Sequence, residues 1–503
     1  MREELQIDFK NNPKIAQIIG NPRTEEFNKY DQVLIILPKK VPASLWNVMP
    51  QGKSLKILIK NRSTGGTPSV STRLKNKKQT SLYLGRLEKK SPAFDRLSFA
   101  RKMIQTVTQE KAGNIAIWVL GFDGVYQEEI AKEFVAAALA RKFLMPEFKT
   151  KPTKERIRTI KLIGLERKIS LDQVIAESEG NNLARWLTAL PSNKLNANSY
   201  IELIKSMAKD FKWGINILKT KKLEEIGAGA FLAVSQGNEN DSAAIVKLKF
   251  KPNGINNPKT LSLVGKGIIF DTGGTNLKPF NSMLDMHIDM NGSAIALGTL
   301  LAITKLNLPI EVDCWLAITE NRTGPMAYKS QDVVTAANGK TIQTIHTDAE
   351  GRMVLADTLY LAAQEKPNFI IDFATLTGAC MNAVTTQYSG IFTNRQELHQ
   401  MLEDSGRKCG ERVWPFPIGK EFLSKLKSET ADLMQCSPGG GGDHILAATF
   451  LNEFVDPSIP WVHIDLSAAT NKGGLAHVPS KITGFGVRFS LNLLLNENIL
   501  NEE

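Results

Sequence analysis

Cysteine is scarce: Cys314, Cys380, Cys409 and Cys436 are the only four in 503 residues, and no CxxC pair occurs. That scatter excludes a disulfide framework and an all-cysteine zinc site, and it suits a reducing compartment. There is no HExxH, so the two-histidine helix that holds zinc in many metalloproteases is absent. Long apolar runs are missing as well. The longest, AIALGTLLAI at 294–303, is too short to cross a bilayer, and the opening MREELQIDFKNNPK has no apolar segment of the kind a secretory signal needs. These absences lead to the expectation of a cytoplasmic chain with no membrane partner.

What is present is a chain that is 42% apolar and long enough for two or three domains with sizeable cores. Its net charge of +12 is unevenly placed: residues 1–170 hold 33 Lys+Arg against 16 Asp+Glu, and the remainder holds 30 against 35. Such asymmetry predicts two domains with different surfaces. A basic first domain could meet nucleic acid, although no DNA-reading motif occurs in it.

In the first third, QVLIILP (32–38), SLKILIK (54–60), TSLYLGRL (80–87) and NIAIWVLGF (114–122) read as strands, and EEIAKEFVAAALARKFL (128–144) as a helix. The basic stretch 148–163 reads as a boundary or an edge strand. A helix is expected from Ser170, its cap, to about Leu190, where Pro191 stops it. Beyond it, strands and helices alternate: AAIVKLKF (243–250) and LSLVGKGIIF (261–270) as neighbouring strands, a helix over 292–306, and a strand over 310–318. They continue with a short strand at 341–347, a helix over 351–365, and a strand over 368–376. The expected class is α/β: a small N-terminal α/β domain (1–165), a linking helix (166–192), and a larger α/β domain (193–503) with a mixed sheet flanked by helices.

In such sheets functional groups gather at the carboxyl ends of strands. VGKGIIFDTGGTNLKP (264–279) carries Lys266 inside an apolar strand, Asp271 at its end and Lys278 beyond a Gly-Gly turn. MLDMHIDMNGSA (283–294) places Asp289 before a helix, and HTDAEGR (346–352) places Asp348 and Glu350 at a third turn. Four carboxylates converging in one pocket cannot all ionise without compensation, and divalent cations would supply it. An oxygen-rich donor set suits Mg, Mn or Zn.

Taken together, KGIIFDTGG…LKP, DMNGSA, ITEN (318–321), TDAEGR and DFATLTGA (372–379) resemble the leucyl aminopeptidase (cytosol aminopeptidase) family of dinuclear metallopeptidases. The resemblance is dense over about 225–380 and continues through PWVHIDLSAA (460–469). It implies a peptide hydrolase that removes N-terminal residues, and two divalent ions, Mn or Zn with Mg and Co as further options. Asp271 and Glu350 would bridge these ions, Lys266 and Asp289 would complete one site, and Asp348 the other. Lys266 can ligate only as a neutral amine. The resemblance also implies Lys278 as the group that stabilises the oxyanion, and Arg352 as the holder of a bicarbonate ion that takes the proton from water. Met286, Thr375, Leu376 and Gly378 would line the pocket for a Leu- or Met-like first residue. The assembly it implies is a homohexamer. His346, His287 and Asn291 depart from the family pattern, as do the Gly-rich segment 439–442 and residues 469–480.

Overall fold

The computed structural model describes residues 13–61, 70–109, 113–151, 153, 157–239 and 242–501. They group into two compact units. One runs up to Ser178 and includes Lys472–Lys481; the other comprises Glu179–Asn471 and the chain from Ile482.

The first unit is built on strands β1 (Lys14–Ile19), β2 (Gln32–Pro38), β3 (Val70–Arg73), β4 (Ser81–Leu87), β5 (Asn114–Val119) and β6 (Thr159–Leu165). Their order in one sheet is β1-β6-β5-β2-β4-β3, parallel except for β3 against β4. Every residue of QVLIILP is buried, because both faces of β2 are covered. Val33, Ile35 and Leu37 enter one core with Trp118, and Leu34 and Ile36 enter another with Ile117 and Phe134. Two expectations fail here. SLKILIK lies in the helix Gly52–Asn61, not a strand. β6 is no edge; it lies between β1 and β5.

The second unit carries β7 (Gly214–Lys219), β8 (Ala244–Phe250), β9 (Lys259–Asp271), β10 (Ile310–Asn321), β11 (Val333–Thr335), β12 (Thr341–Gln343), β13 (Phe369–Ala374), β14 (Ser389–Thr393), β15 (Val413–Pro415), β16 (Leu433–Met434) and β17 (Trp461–Asp465). Eight of them form a mixed sheet, β15-β14-β17-β13-β9-β10-β8-β7, and β11-β12-β16 form a small separate one. β8 and β9 are not neighbours, as their closeness in sequence suggested: β10 lies between them, parallel to β9 and antiparallel to β8. The β9–β10 connection is a crossover through the helix Asn291–Leu306, as parallel pairing requires.

Four adjacent parallel strands, β17-β13-β9-β10, therefore end on one edge. In register there, Asp465 faces Ala374 and Asn321 faces Asp271. The helix Asn291–Leu306 is buried on nearly all sides, and the apolar stretch Phe280–Leu306 that contains it is 83% buried over its most apolar window, as a core helix is. Its first turn approaches the sheet so closely that a Cβ on Gly292 would lie 2.1 Å from the Phe373 carbonyl oxygen. That contact seats the preceding Asp289 against β9. We expect Gly292→Ala to destabilise this unit by about 1–3 kcal/mol, the usual cost of overpacking a tight contact. Urea unfolding checks it, and an unchanged midpoint would mean that the backbone yields freely.

Candidate metal centre

Lys266 sits inside β9, 2% exposed. Its Nζ lies 2.7 Å from Asp289 Oδ2 and 2.9 Å from Glu350 Oε1, and it donates to the Thr375 carbonyl at 3.1 Å. Gly351 allows this fit, since a Cβ there would come within 2.7 Å of that nitrogen. Thr375 Oγ1 donates to Asp289 Oδ1 at 2.7 Å.

Lys278 returns to the end of β9 through the turn at Gly273 and Gly274, whose φ values of 87° and 68° favour glycine. Its amide donates to the Thr272 carbonyl at 2.9 Å, which closes the loop. Its Nζ then lies 2.9 Å from Asp271 Oδ2 and also pairs with Asp348. Oxygen atoms of Asp271, Asp348 and Glu350 all fall within 4.8 Å of one another. The structure thus brings together all five expected ligands and Lys278.

Several partners escaped the sequence reading. Asn321, at the end of β10, donates to Asp271 Oδ1 at 2.8 Å and to the Thr347 carbonyl at 3.0 Å. Tyr328 donates to the same carbonyl at 2.8 Å. Thr347 Oγ1 donates to the Gly273 carbonyl at 2.6 Å, which ties the TDAEGR turn to the Gly-Gly turn. Asp465 accepts the amides of Leu376 and Thr377 at 3.1 and 3.3 Å, so it sets the 375–378 segment. ITEN and the strand-end position of Asp465 were the signals available. His346 accepts from the Asp348 amide at 3.3 Å, and Asn291 donates to Thr188 at 2.9 Å.

Of the expected pocket residues, Thr375 touches the cluster directly. Leu376 is half-buried, with a methyl group near Gly351. Met286 is half-buried on the turn Met286–Ile288, and Gly378 is exposed at the start of a helix. Arg352 is buried. It donates from Nη1 to the Gln435 carbonyl at 3.2 Å and from Nη2 to Asp443 Oδ2 at 2.7 Å.

The electrostatics follow from crowding. Burial first, and then the Asp271 charge, push Glu350 up to about 8; Lys266 opposes them and is outweighed. Asp289 and Asp348 are each pushed up to about 6, chiefly by burial. Burial works against the charge on Lys266, but Asp289, Glu350 and Asp271 outweigh it and hold the ammonium above the ordinary lysine value. The neutral amine that a ligand must be therefore requires cations that neutralise these carboxylates in place of the ammonium.

The residues fit such cations. Four carboxylates face two ammonium groups, and among the described residues Glu350 Oε2 is buried with no hydrogen-bond partner. Hard oxygen donors plus one amine form a donor set for Mg, Mn or Zn.

An acidic cluster at the carboxyl edge of a mixed sheet defines the class: an α/β protein whose strand-end carboxylates form a candidate cation site. The chain belongs to the cytosol aminopeptidase family, whose catalytic-domain model matches residues 182–491. It is an aminopeptidase, a hydrolase. A probable cytosol aminopeptidase of Prochlorococcus marinus is 40% identical over 350 residues, 68% of this chain and 69% of that one. One from Phytoplasma australiense is 35% identical over 399 residues, 78% of this chain and 80% of the relative. Among solved structures, a bottromycin maturation enzyme in complex with Mn is 27% identical with a TM-score of 0.80, covering 92% of this chain and 99% of its own. A variant of tomato leucine aminopeptidase is 26% identical with a TM-score of 0.84, covering 97% of each chain.

Proposed function

We propose that this aminopeptidase removes Leu- or Met-like residues from the N-termini of short peptides, with two divalent ions, Mn or Zn first, held by Lys266, Asp271, Asp289, Asp348 and Glu350. The observation that carries the reading is the convergence of Asp271, Asp348 and Glu350 oxygens within 4.8 Å, with one Glu350 oxygen unpartnered among the described residues. Bound there, such ions would supply a Lewis acid and a water of lowered pKa.

The chain's own groups do the rest. Lys278, charged and 13% exposed, is the donor for the carbonyl oxygen as it becomes an oxyanion. An anion held by Arg352 accepts the proton of the attacking water; bicarbonate is the one the family resemblance implies. Thr375, Leu376, Met286 and Gly378 form the wall that meets the first side chain, and the half-buried Leu376 and Met286 suit an apolar one. The same reading carries a cytoplasmic homohexamer, with catalysis in 193–503.

The test is a panel of amino-acid anilides on chelator-stripped protein refilled with Mn, Zn, Co or Mg. Leu and Met anilides should turn over fastest, and the stripped protein should be inactive until refilled. Full activity after stripping would overturn the metal reading, and a preference for charged anilides would overturn the pocket.

A further inference from the structure

We propose that Asp443 is a built-in anion for Arg352, so that this chain supplies from its own sequence what the family resemblance assigns to a dissolved bicarbonate. The proposal rests on the reading that an anion at Arg352 takes the water proton, and it names which anion.

The guanidinium of Arg352 is 2% exposed, so any anion that reaches it must be brought there by the fold or admitted through a small opening. Its outer nitrogen Nη2 is already taken by Asp443 Oδ2 at 2.7 Å, the length of a charge-assisted bond. Nη1 is taken by the Gln435 carbonyl. Arg352 is therefore bonded through both terminal nitrogens, and its Nε is buried without a partner among the described residues. These two bonds use two of its five N–H donors, and a separate carbonate at the others would stand beside a carboxylate of like charge already held at 2.7 Å. A tethered carboxylate also forgoes the entropy cost of capturing a free ion.

The segment that delivers Asp443 is built for the purpose. Asp443 opens the helix Asp443–Asn452, directly after PGGGG. Gly440, Gly441 and Gly442 all have left-handed φ, 60°, 74° and 68°, a run that other residues adopt only with strain. The next residue, His444, is pinned edge-on against Phe416, with ring centroids 4.6 Å apart. Eight positions before Asp443, the Gln435 side chain accepts the amides of Ile345 and His346 at 3.2 and 3.1 Å, and donates to the Ala349 carbonyl at 3.1 Å. Arg352, its anion and the Asp348–Glu350 turn are thus fixed to the same piece of structure.

Only one Asp443 oxygen is bonded. Among the described residues Oδ1 has no protein partner, and the side chain is 37% exposed, so this oxygen is open to water. In the reaction, an O–H bond of the attacking water breaks, its proton passes to Oδ1, and its oxygen bonds to the peptide carbonyl carbon. When the C–N bond breaks, the same proton goes to the leaving amine nitrogen. The carboxylate is regenerated.

The test uses the full-length protein as purified, with Asp443→Ala, Asp443→Asn and Arg352→Ala. Leucyl-anilide turnover is measured from carbonate-depleted buffer to saturating bicarbonate, and bicarbonate binding is titrated by calorimetry. Wild type should be indifferent to bicarbonate and give no saturable heat. Asp443→Ala should lose about 10²-fold in kcat without carbonate, the lower end of a proton-transfer contribution, and regain most of it as bicarbonate is added. It should also acquire saturable bicarbonate binding. A merely structural acid at the helix start would give neither rescue nor new binding. Wild type that binds bicarbonate or is stimulated by it overturns the assignment, even if the variants fail to fold. Arg352→Ala with full activity overturns instead the underlying reading of an anion at Arg352.

Discussion

Replacing Glu350 by Gln should lower leucyl-anilide turnover by at least about 10³-fold, because Lewis-acid stabilisation amounts to several kcal/mol and each 1.4 kcal/mol is a factor of ten. The substitution keeps the side-chain volume at the first residue of the helix Glu350–Gln364 and removes only the charge. It takes away the one carboxylate that neighbours both Lys266 on one side and the Asp271–Asp348 pair on the other. A second readout needs no activity. In the folded protein the Glu350 carboxyl is raised from its ordinary 4.5 to about 8. Between those values the folded state holds a proton there that the unfolded chain has released. The unfolded state then binds fewer protons, so stability falls as pH rises through this window. Asp289 and Asp348, raised to about 6, act in the same direction at lower pH. Urea unfolding of chelator-stripped protein should therefore show stability declining from about pH 4.5 to 8. Glu350→Gln should flatten that decline, most of all near its upper end. Wild-type turnover, or an unaltered pH slope, would remove Glu350 from the centre.

How much of this was legible beforehand depends on the physics each residue obeys. The run 32–38 announced a strand because both its faces are buried, which leaves no polar position to blur it. SLKILIK failed for the opposite reason. Its apolar residues fit either period over seven positions, and length alone could not decide. In the fold Leu55 is buried while Ile57 is 61% exposed, a helical face that the letters do not reveal. The order β9-β10-β8 escaped because strand adjacency depends on the crossover helix and not on distance along the chain. Lys266, Asp271, Lys278, Asp289, Asp348 and Glu350 stood out only together: each alone is weak, since an Asp before a helix is commonly a cap, and their joint occurrence in the family-like segments singled them out. The partners of Asn321 and Thr347 were not legible: both residues lie in segments that were noticed, ITEN and TDAEGR, but an amide and a hydroxyl carry no charge signature that names what they bond. The Arg352–Asp443 pair spans 91 positions, and only the fold closes that gap.

Lys278→Ala should cost about 10²–10³ in kcat, the loss seen when a single oxyanion donor is removed, with KM changed far less. The direction of a companion measurement separates this lysine from Lys266. Burial works against the charge of Lys278, yet Asp271, Glu350 and Asp348 hold its ammonium well above the ordinary lysine value, so it stays charged throughout the working pH range. Because its Nζ is 2.9 Å from Asp271 Oδ2 and also pairs with Asp348, it competes with any cation for those two carboxylates. Removing it should therefore leave divalent-ion affinity intact or tighten it while catalysis collapses. Glu350→Gln should lose both. Lys278→Arg should not recover the rate, because a planar fork does not place one point charge where an ammonium does. Calorimetric titration of Mn or Zn into the stripped variants, set beside their anilide kinetics, makes the distinction. Weakened ion binding in Lys278→Ala would turn this residue from a charge aimed at the oxyanion into a support of the cation site.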